Sequence, residues 1–343
     1  MSDEIDPGLG GLPSPRENLR LVGHHAVQRD IEAAVAASRM HHAILLSGPR
    51  GIGKATLGYA LAAMLMSGER TLADALGTAA RGQIAGGAAQ GFRRLAVGTT
   101  REGKPKREIG VDEVRALQPF LRQRAGGDEW RVVLVDAADD LNVSSANALL
   151  KVLEEPGRRT LFVLLSHGTR SLLSTIRSRC IAHRMHGLSD NEMRSALEGS
   201  DLSASQIDAA IPFAGGSVRL ALRLATTGAT DLIDAARSVI EATVWSPSAA
   251  GRVMEAAMAR GTDGMFTDLS RALVEMLREH AGVAGRSGRA TEARGVAEAA
   301  SAIEADLGIR EAYGVDRALS LRAALQRAHA VVDGRLAKDG SSG

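Results

Sequence analysis

Residues 42–66 read HAILLSGPRGIGKATLGYALAAMLM. His42 to Ser47 is a short continuous apolar run, as expected of a strand buried on both faces. It leads straight into Gly48-Pro-Arg-Gly-Ile-Gly-Lys54, and the stretch that follows, roughly Ala55 to Met66, is almost wholly apolar. Such a stretch after a glycine turn reads as a buried helix. Strand, glycine loop and buried helix form the first unit of a parallel α/β sheet.

The loop itself carries chemistry. A phosphate loop needs Gly, four residues, Gly, Lys, then Ser or Thr. Its glycines let successive N–H groups converge on phosphate oxygens at a helix N-terminus, and the lysine pairs with the outer phosphates. Gly48, Gly53 and Lys54 satisfy the pattern, with Gly51 between them. Position 55 does not, because Ala55 puts a methyl group where a hydroxyl would hold Mg²⁺. Thr56 lies about 100° further round the helix and is a poor substitute.

Working outward, Val27 to Arg39 has apolar residues at helical spacing. Residues 67–108 are Gly- and Ala-rich, then basic over Arg101 to Arg107, and read as helix plus loop. Val111 to Arg124 returns to helical spacing. Two more buried strands follow, Trp130 to Asp136 (WRVVLVD) and Thr160 to Ser166 (TLFVLLS). Between them Ser144 to Glu155 reads as a helix with a serine cap, stopped at Pro156. Beyond Leu188 the strand signals cease. Ser189 with Glu192, and Ser203 with Gln206, fit capping boxes, and Gly215-Gly216-Ser217 opens a helix carrying Arg219. After Trp245-Ser-Pro247 the chain is Ala-rich and helical.

An ATPase of this architecture needs a strand ending in Asp for the metal, then Glu to activate water. WRVVLVD supplies Asp136, but Ala137 stands at the glutamate position. Phosphoryl transfer depends on positioning and on electrostatic stabilisation around the metal. Loss of both groups predicts a site that does not turn over ATP.

Composition narrows the class. Of 343 residues, 45% are hydrophobic and 24% charged, an ordinary globular mix that excludes a disordered or fibrous chain. Net charge is +2, so any contact with nucleic acid has to come from local placement of charge. A single cysteine, Cys180, rules out an internal disulfide or a four-cysteine zinc site. It reads as a packed thiol. No apolar run approaches the ~18 to 20 residues that span a bilayer, and the acidic, Gly/Pro-rich first 18 residues are no signal peptide. A cytoplasmic protein is expected, with no membrane contact. His41 and His42, adjacent on a strand, point to opposite faces and are not expected to chelate one ion. Glu154 and Glu155 close a helix and form no acid/base pair.

The motifs LVG (21–23), HHAILLSGPRGIGK (41–54), IGVDEVR (109–115), RVVLVDAADDLN (131–142), SANALLKVLEEP (145–156) and TIRSRC (175–180) together resemble the AAA+ clamp-loader subunits of bacterial DNA polymerase III. Order and spacing agree over the first 220 residues, and AYGVDRALSLRAAL (312–325) is similar to the tail helices of that family's delta-prime type. The resemblance implies an α/β P-loop AAA+ domain with a parallel sheet (21–186), a small helical lid (187–243) and an all-α C-terminal collar (244–335), between tails at 1–20 and 336–343. It implies a loader that places the sliding clamp on primed DNA, with gamma/tau-type motor subunits and a delta-type subunit as partners.

In that family the SRC motif supplies an arginine finger, here Arg179, to the neighbour's ATP site. Arg219 matches the sensor-2 arginine and Ser166 the sensor-1 position. Gly48, Gly51, Gly53, Lys54, Thr56, Asp136, Ser166 and Arg219 would form a vestigial nucleotide site. Whether ATP sits there without hydrolysis stays open. Ser144, Ser145 and Lys151 are candidates for template phosphate. The family's cysteine-rich zinc module would fall within 67–108, which holds no cysteine, so no zinc and no other metal is expected. The alternative is a hydrolysing motor subunit in which Lys54, Thr56 and Asp136 still suffice.

Overall fold

A computed structural model describes residues 9–98, 106, 108–122, 129–168, 172–259, 265–313 and 317–332. The chain divides into two compact units, Met1–Asp201 with Gly216–Arg219, and Leu202–Gly215 with Leu220–Gly343. Most of the basic run 101–107 and both extreme termini, including the expected C-terminal tail, lie outside the described residues.

The first unit runs α1 (His25–Ala36), β1 (Ala43–Ser47), α2 (Lys54–Ser67), α3 (Leu72–Ala75), α4 (Ala79–Gly86), β2 (Phe92–Ala96), α5 (Val111–Arg115), α6 (Leu117–Arg122), β3 (Arg131–Asp136), α7 (Val143–Glu154), β4 (Thr160–Ser166), α8 (Ser174–Arg177), β5 (Ile181–Arg184) and α9 (Asp190–Leu197). The five strands form one all-parallel sheet in the order β2-β3-β4-β1-β5.

Strand alternation sorts the apolar side chains into two cores, as the period of two demands. Ile44, Leu46, Val132, Leu134, Val163 and Leu165 face α1, α2 and α4. Ala43, Leu45, Val133, Val135, Phe162 and Leu164 face α5, α6 and α7. With both faces covered, the central strands must be apolar throughout, which is why they stand out in the sequence.

Three expectations need correction. Residues 67–98 hold two short helices and a strand, β2, that the helix-plus-loop reading missed. Its sequence FRRLA carries two arginines, and it is a sheet edge whose inward residues are only Phe92 and Leu95. Val111 to Arg124 is broken into α5 and α6. Pro119 has no N–H to offer the Arg115 carbonyl, so the helical ladder is interrupted there. The cap of α7 is Asn142, whose side chain accepts from the Ser145 N–H at 2.9 Å, rather than a serine. The sequence reading also missed β5, an exposed four-residue edge.

The second unit is helical among its described residues: α10 (Ala204–Ala210), α11 (Val218–Thr227, whose first two residues belong to the first unit), α12 (Ala229–Glu241), α13 (Pro247–Ala257), α14 (Met265–Arg286), α15 (Ala290–Tyr313) and α16 (Arg317–Val331). The long helix α14 packs along α15 and α16, and α12 packs on α13, α14 and α16. Both capping boxes form, at Ser189 with Glu192 and at Ser203 with Gln206. One buried ion pair, Arg223 to Asp268 at 2.9 Å, ties α11 to α14.

Candidate functional site

The phosphate loop joins β1 to α2. Its conformation depends on Gly51, which has φ +75° and whose Cβ, were there one, would lie 2.5 Å from Ser217 Oγ and 2.6 Å from Arg219 Cβ. The Arg219 backbone and Cβ therefore lie against the loop. Gly48 donates its N–H to the Ser166 carbonyl at 3.1 Å, so the loop starts level with the end of β4.

Lys54 is fully buried. Its ammonium donates to the Gly48 carbonyl at 2.9 Å and to that of Pro49, so the lysine is folded back onto its own loop. Thr56 is buried on α2 and, with Gly51, Gly53, Lys54 and Ala55, lines a cleft shared with Pro15, Asn18 and Leu21.

Asp136, at the end of β3, is fully buried, and its Oδ2 accepts from Arg94 Nε at 3.2 Å and Nη2 at 2.8 Å. Arg94 comes from β2, the strand that sequence reading missed. Ala96 pairs with Asp136 in the register of the two strands, and Arg94 lies two residues before it on the same face.

Ser166, expected at the sensor-1 position, donates its hydroxyl to Asp139 Oδ1 at 3.2 Å, while the next amide, His167 N–H, donates to Asp139 Oδ2 at 2.7 Å. Asp139 thus clamps the end of β4, a role its position in VDAAD does not announce. Burial, with Lys54 and Arg50 nearby, lowers the His167 imidazole to a pKa of about 3. Burial also raises the Asp140 carboxyl, against the pull of Arg50.

These residues do not fit a magnesium nucleotide. The metal would need the Asp136 carboxylate that Arg94 already holds and a hydroxyl where Ala55 has a methyl group. A triphosphate would need Lys54 released from two carbonyls. The motor-subunit alternative, in which Lys54, Thr56 and Asp136 suffice, would need Asp136 and Lys54 released from these partners.

Arg179 lies elsewhere, after α8. It donates to Glu154 Oε1 at 2.6 Å and to the Thr175 carbonyl at 3.0 Å, with its side chain 36% exposed and that of Glu154 49% exposed. Glu154, read as a helix-ending residue, is therefore the arginine's carboxylate partner. Cys180 beside it packs against the core, and burial pushes its thiol up to about 11, which keeps it protonated and a poor nucleophile.

On α7, Ser144 and Lys151 are exposed and seven residues apart, hence on one helix face. Ser145 is a correction. It is fully buried and its hydroxyl donates to the Asn142 carbonyl at 2.9 Å, so it presents nothing to a phosphate.

His41 and His42 also depart from expectation. Their rings lie 4.1 Å apart, because His41 precedes the strand and folds its Nδ1 onto the Ala43 backbone. Among the described residues there is no cluster of three His, Cys, Asp or Glu suited to a metal ion, and no helix long and apolar enough to cross a membrane.

Within the cysteine-free segment 67–98, the buried Arg81 of α4 is the organising residue. It donates to the carbonyls of Pro15, Arg16 and Asn18 and stacks on Tyr59 at 5.4 Å. It thereby fixes the N-terminal segment that walls the cleft.

Residues 23–189 match a family model described as DNA polymerase III, delta subunit. The DNA polymerase III subunit delta' of Pseudomonas aeruginosa is 36% identical over 191 residues, covering 53% of this chain and 55% of that one. The delta' subunit of Escherichia coli K12 is 35% identical over 163 residues, with 45% and 46% covered. A DNA polymerase III gamma subunit from Buchnera aphidicola is 27% identical over 218 residues, with 61% and 58% covered. The chain thus matches about half the length of these curated relatives. Among solved structures, a gamma-subunit-related protein of Thermotoga maritima superposes with a TM-score of 0.40 at 13% identity, covering 89% of this chain and 98% of that one. A five-stranded parallel sheet and a phosphate loop thus accompany sequence matches that make the chain delta-prime-like: residues 23–189 resemble the DNA polymerase III delta-subunit family model and the delta' subunits of that polymerase.

Proposed function

We propose that this chain serves as a non-hydrolysing subunit of a DNA polymerase III clamp loader and lends Arg179 to the ATP site of a gamma/tau-type neighbour. Its remaining partners would be a delta-type subunit and, through the complex, the sliding clamp and primed DNA. Residues 187–243 would act as the lid and 244–335 as the collar that holds the assembly. The observation that carries this reading is the contrast between two arginines. Arg94 is spent inside the chain on Asp136, whereas Arg179 is one-third exposed and, among the described residues, is held by a half-exposed carboxylate and a carbonyl.

A cation delivered to the developing charge on a neighbour's γ-phosphate is worth roughly 10³ to 10⁵ in rate. Arginine suits the task because its planar fork remains charged at any working pH. Ser144 and Lys151, exposed on α7, are proposed to meet template phosphate.

The test is a reconstituted complex carrying Arg179→Ala, assayed for ATP hydrolysis with clamp and primed DNA. Assembly should be intact and hydrolysis at the adjoining site should fall by about 10³. Wild-type turnover in that complex would dismiss the finger. The isolated chain should hydrolyse ATP at background, and a turnover abolished by Lys54→Ala would dismiss the non-hydrolysing reading.

A further inference from the structure

We propose that Arg94 takes the place of the divalent cation in this pocket, so that the chain's P-loop unit is a metal-independent structure in which Asp136 is permanently neutralised by the protein itself. The inference concerns the isolated chain and does not depend on any role for Arg179.

Three observations converge on it. First, Asp136 has no solvent exposure, and its Oδ2 receives two N–H groups from one guanidinium, at 2.8 and 3.2 Å. Its Oδ1 makes no hydrogen bond among the described residues, so Arg94 is the cation that compensates this carboxylate. Magnesium binds carboxylate oxygen at about 2.0 to 2.1 Å in a nearly ideal octahedron, and a guanidinium on the same oxygen leaves no room for that shell.

Second, the placement is built into the sheet. The parallel register that sets Ala96 opposite Asp136 puts Arg94 on the same face of β2, and the long side chain spans the remaining distance along the strand. The stem is largely covered, with the side chain 24% exposed.

Third, the other metal contacts are missing in a consistent way. Ala55 offers a methyl group, Ala137 stands where the water-orienting carboxylate would be, and Lys54 is engaged with the carbonyls of Gly48 and Pro49. A carboxylate left bare in this setting would be an uncompensated buried charge, which proteins do not tolerate cheaply. Loss of the metal therefore calls for a replacement cation, and β2 carries one.

The experiment uses the full chain, with Mn²⁺ as a paramagnetic probe for Mg²⁺, and compares wild type, Asp136→Asn, Arg94→Ala and the double variant Arg94→Ala/Asp136→Asn. Wild type should show no Mn²⁺ binding that Asp136→Asn abolishes, and its Tm should not move between EDTA and about 10 mM Mg²⁺. Arg94→Ala should lower Tm by about 5 to 10 °C, the lower part of the range for breaking a buried pair because Arg94 is partly wet. Mg²⁺ or Mn²⁺ should return a substantial part of that loss, whereas sodium chloride at matched ionic strength should not. In the double variant the divalent ions should have no effect. Wild-type Mn²⁺ binding that depends on Asp136 would overturn the proposal. So would an Arg94→Ala chain with unchanged Tm, or one whose loss divalent ions leave untouched. If Arg94→Ala does not fold, the comparison of wild type with Asp136→Asn still decides.

Discussion

Replacing Arg81 by methionine tests whether one buried cation organises the N-terminal segment over the cleft. The side chain has no solvent exposure, and its guanidinium donates to the carbonyl of Arg16 and, at 2.9 Å each, to those of Pro15 and Asn18. Methionine keeps the length of the stem and removes all three donors. Hydrogen bonds from a charged group contribute roughly 1.5 to 3 kcal/mol each, so their gross sum is about 5 to 9 kcal/mol. Arg16 and Asn18 are only half-buried, so water can re-satisfy part of what is lost, and the desolvation of Arg81 is itself relieved. The expected destabilisation is about 3 to 5 kcal/mol. Urea unfolding of the full chain measures it through the shift in midpoint. Hydrogen exchange of the amides from Ser14 to Val22 should accelerate even under native conditions, since these residues lose their anchor while the sheet persists. A midpoint change below about 1 kcal/mol, with unchanged exchange in that segment, would refute the reasoning.

Gly51→Ala should destabilise the chain by about 1 to 3 kcal/mol, because the residue sits at φ +75° and the new methyl would meet Ser217 and Arg219; thermal unfolding reads this directly. Asp139→Ala leaves the Ser166 hydroxyl and the His167 amide without their carboxylate and should cost about 2 to 3 kcal/mol, again by urea midpoint. His167 gives a pH signature. Its folded pKa of about 3 lies below the ordinary 6.5, so between those values the unfolded chain binds a proton that the folded chain does not. Its contribution is complete above pH 6.5 and is lost as pH falls towards 3. Stability measured at pH 7 and pH 5 should therefore drop, and His167→Gln should reduce that drop.

Much of the fold is written in the sequence because burial on both faces leaves a strand no choice of residue. HAILLS, WRVVLVD and TLFVLLS stand out for that reason, and so does the apolar α2. The edges do not stand out. β2 reads FRRLA because an edge strand at a polar pocket can carry two arginines, and β5 is mostly exposed. The same physics hides the electrostatics of the site. Ala55 and Ala137 are visible as missing groups, but the arginine that answers Asp136 is 42 residues away and reaches it only through a strand register. Phe92 and Leu95 flank the arginines but lie three residues apart and face opposite layers, so no period-two pattern marks the strand. Arg81 looks like a solvated residue in a Gly/Ala-rich stretch until the three carbonyls it serves are brought to it. The cap of α7 shows a finer limit, since Asn142, Ser144 and Ser145 are all capable, and only the three-residue reach to the Ser145 amide selects Asn142.

The pairing of Arg179 with Glu154 sets how readily that arginine changes hands. An ion pair this wet contributes less than about 1 kcal/mol, so detaching it is at most a several-fold handicap in any competing equilibrium. Yet the carboxylate still limits where the fork can swing, keeping it aimed along the end of α7 instead of sampling every rotamer. Moderate ionic strength loosens this leash further, since charges in water are screened over about 8 to 10 Å. A guanidinium held in this fashion is pre-aimed but easily surrendered, the balance that the proposed role of Arg179 on a neighbouring subunit would call for.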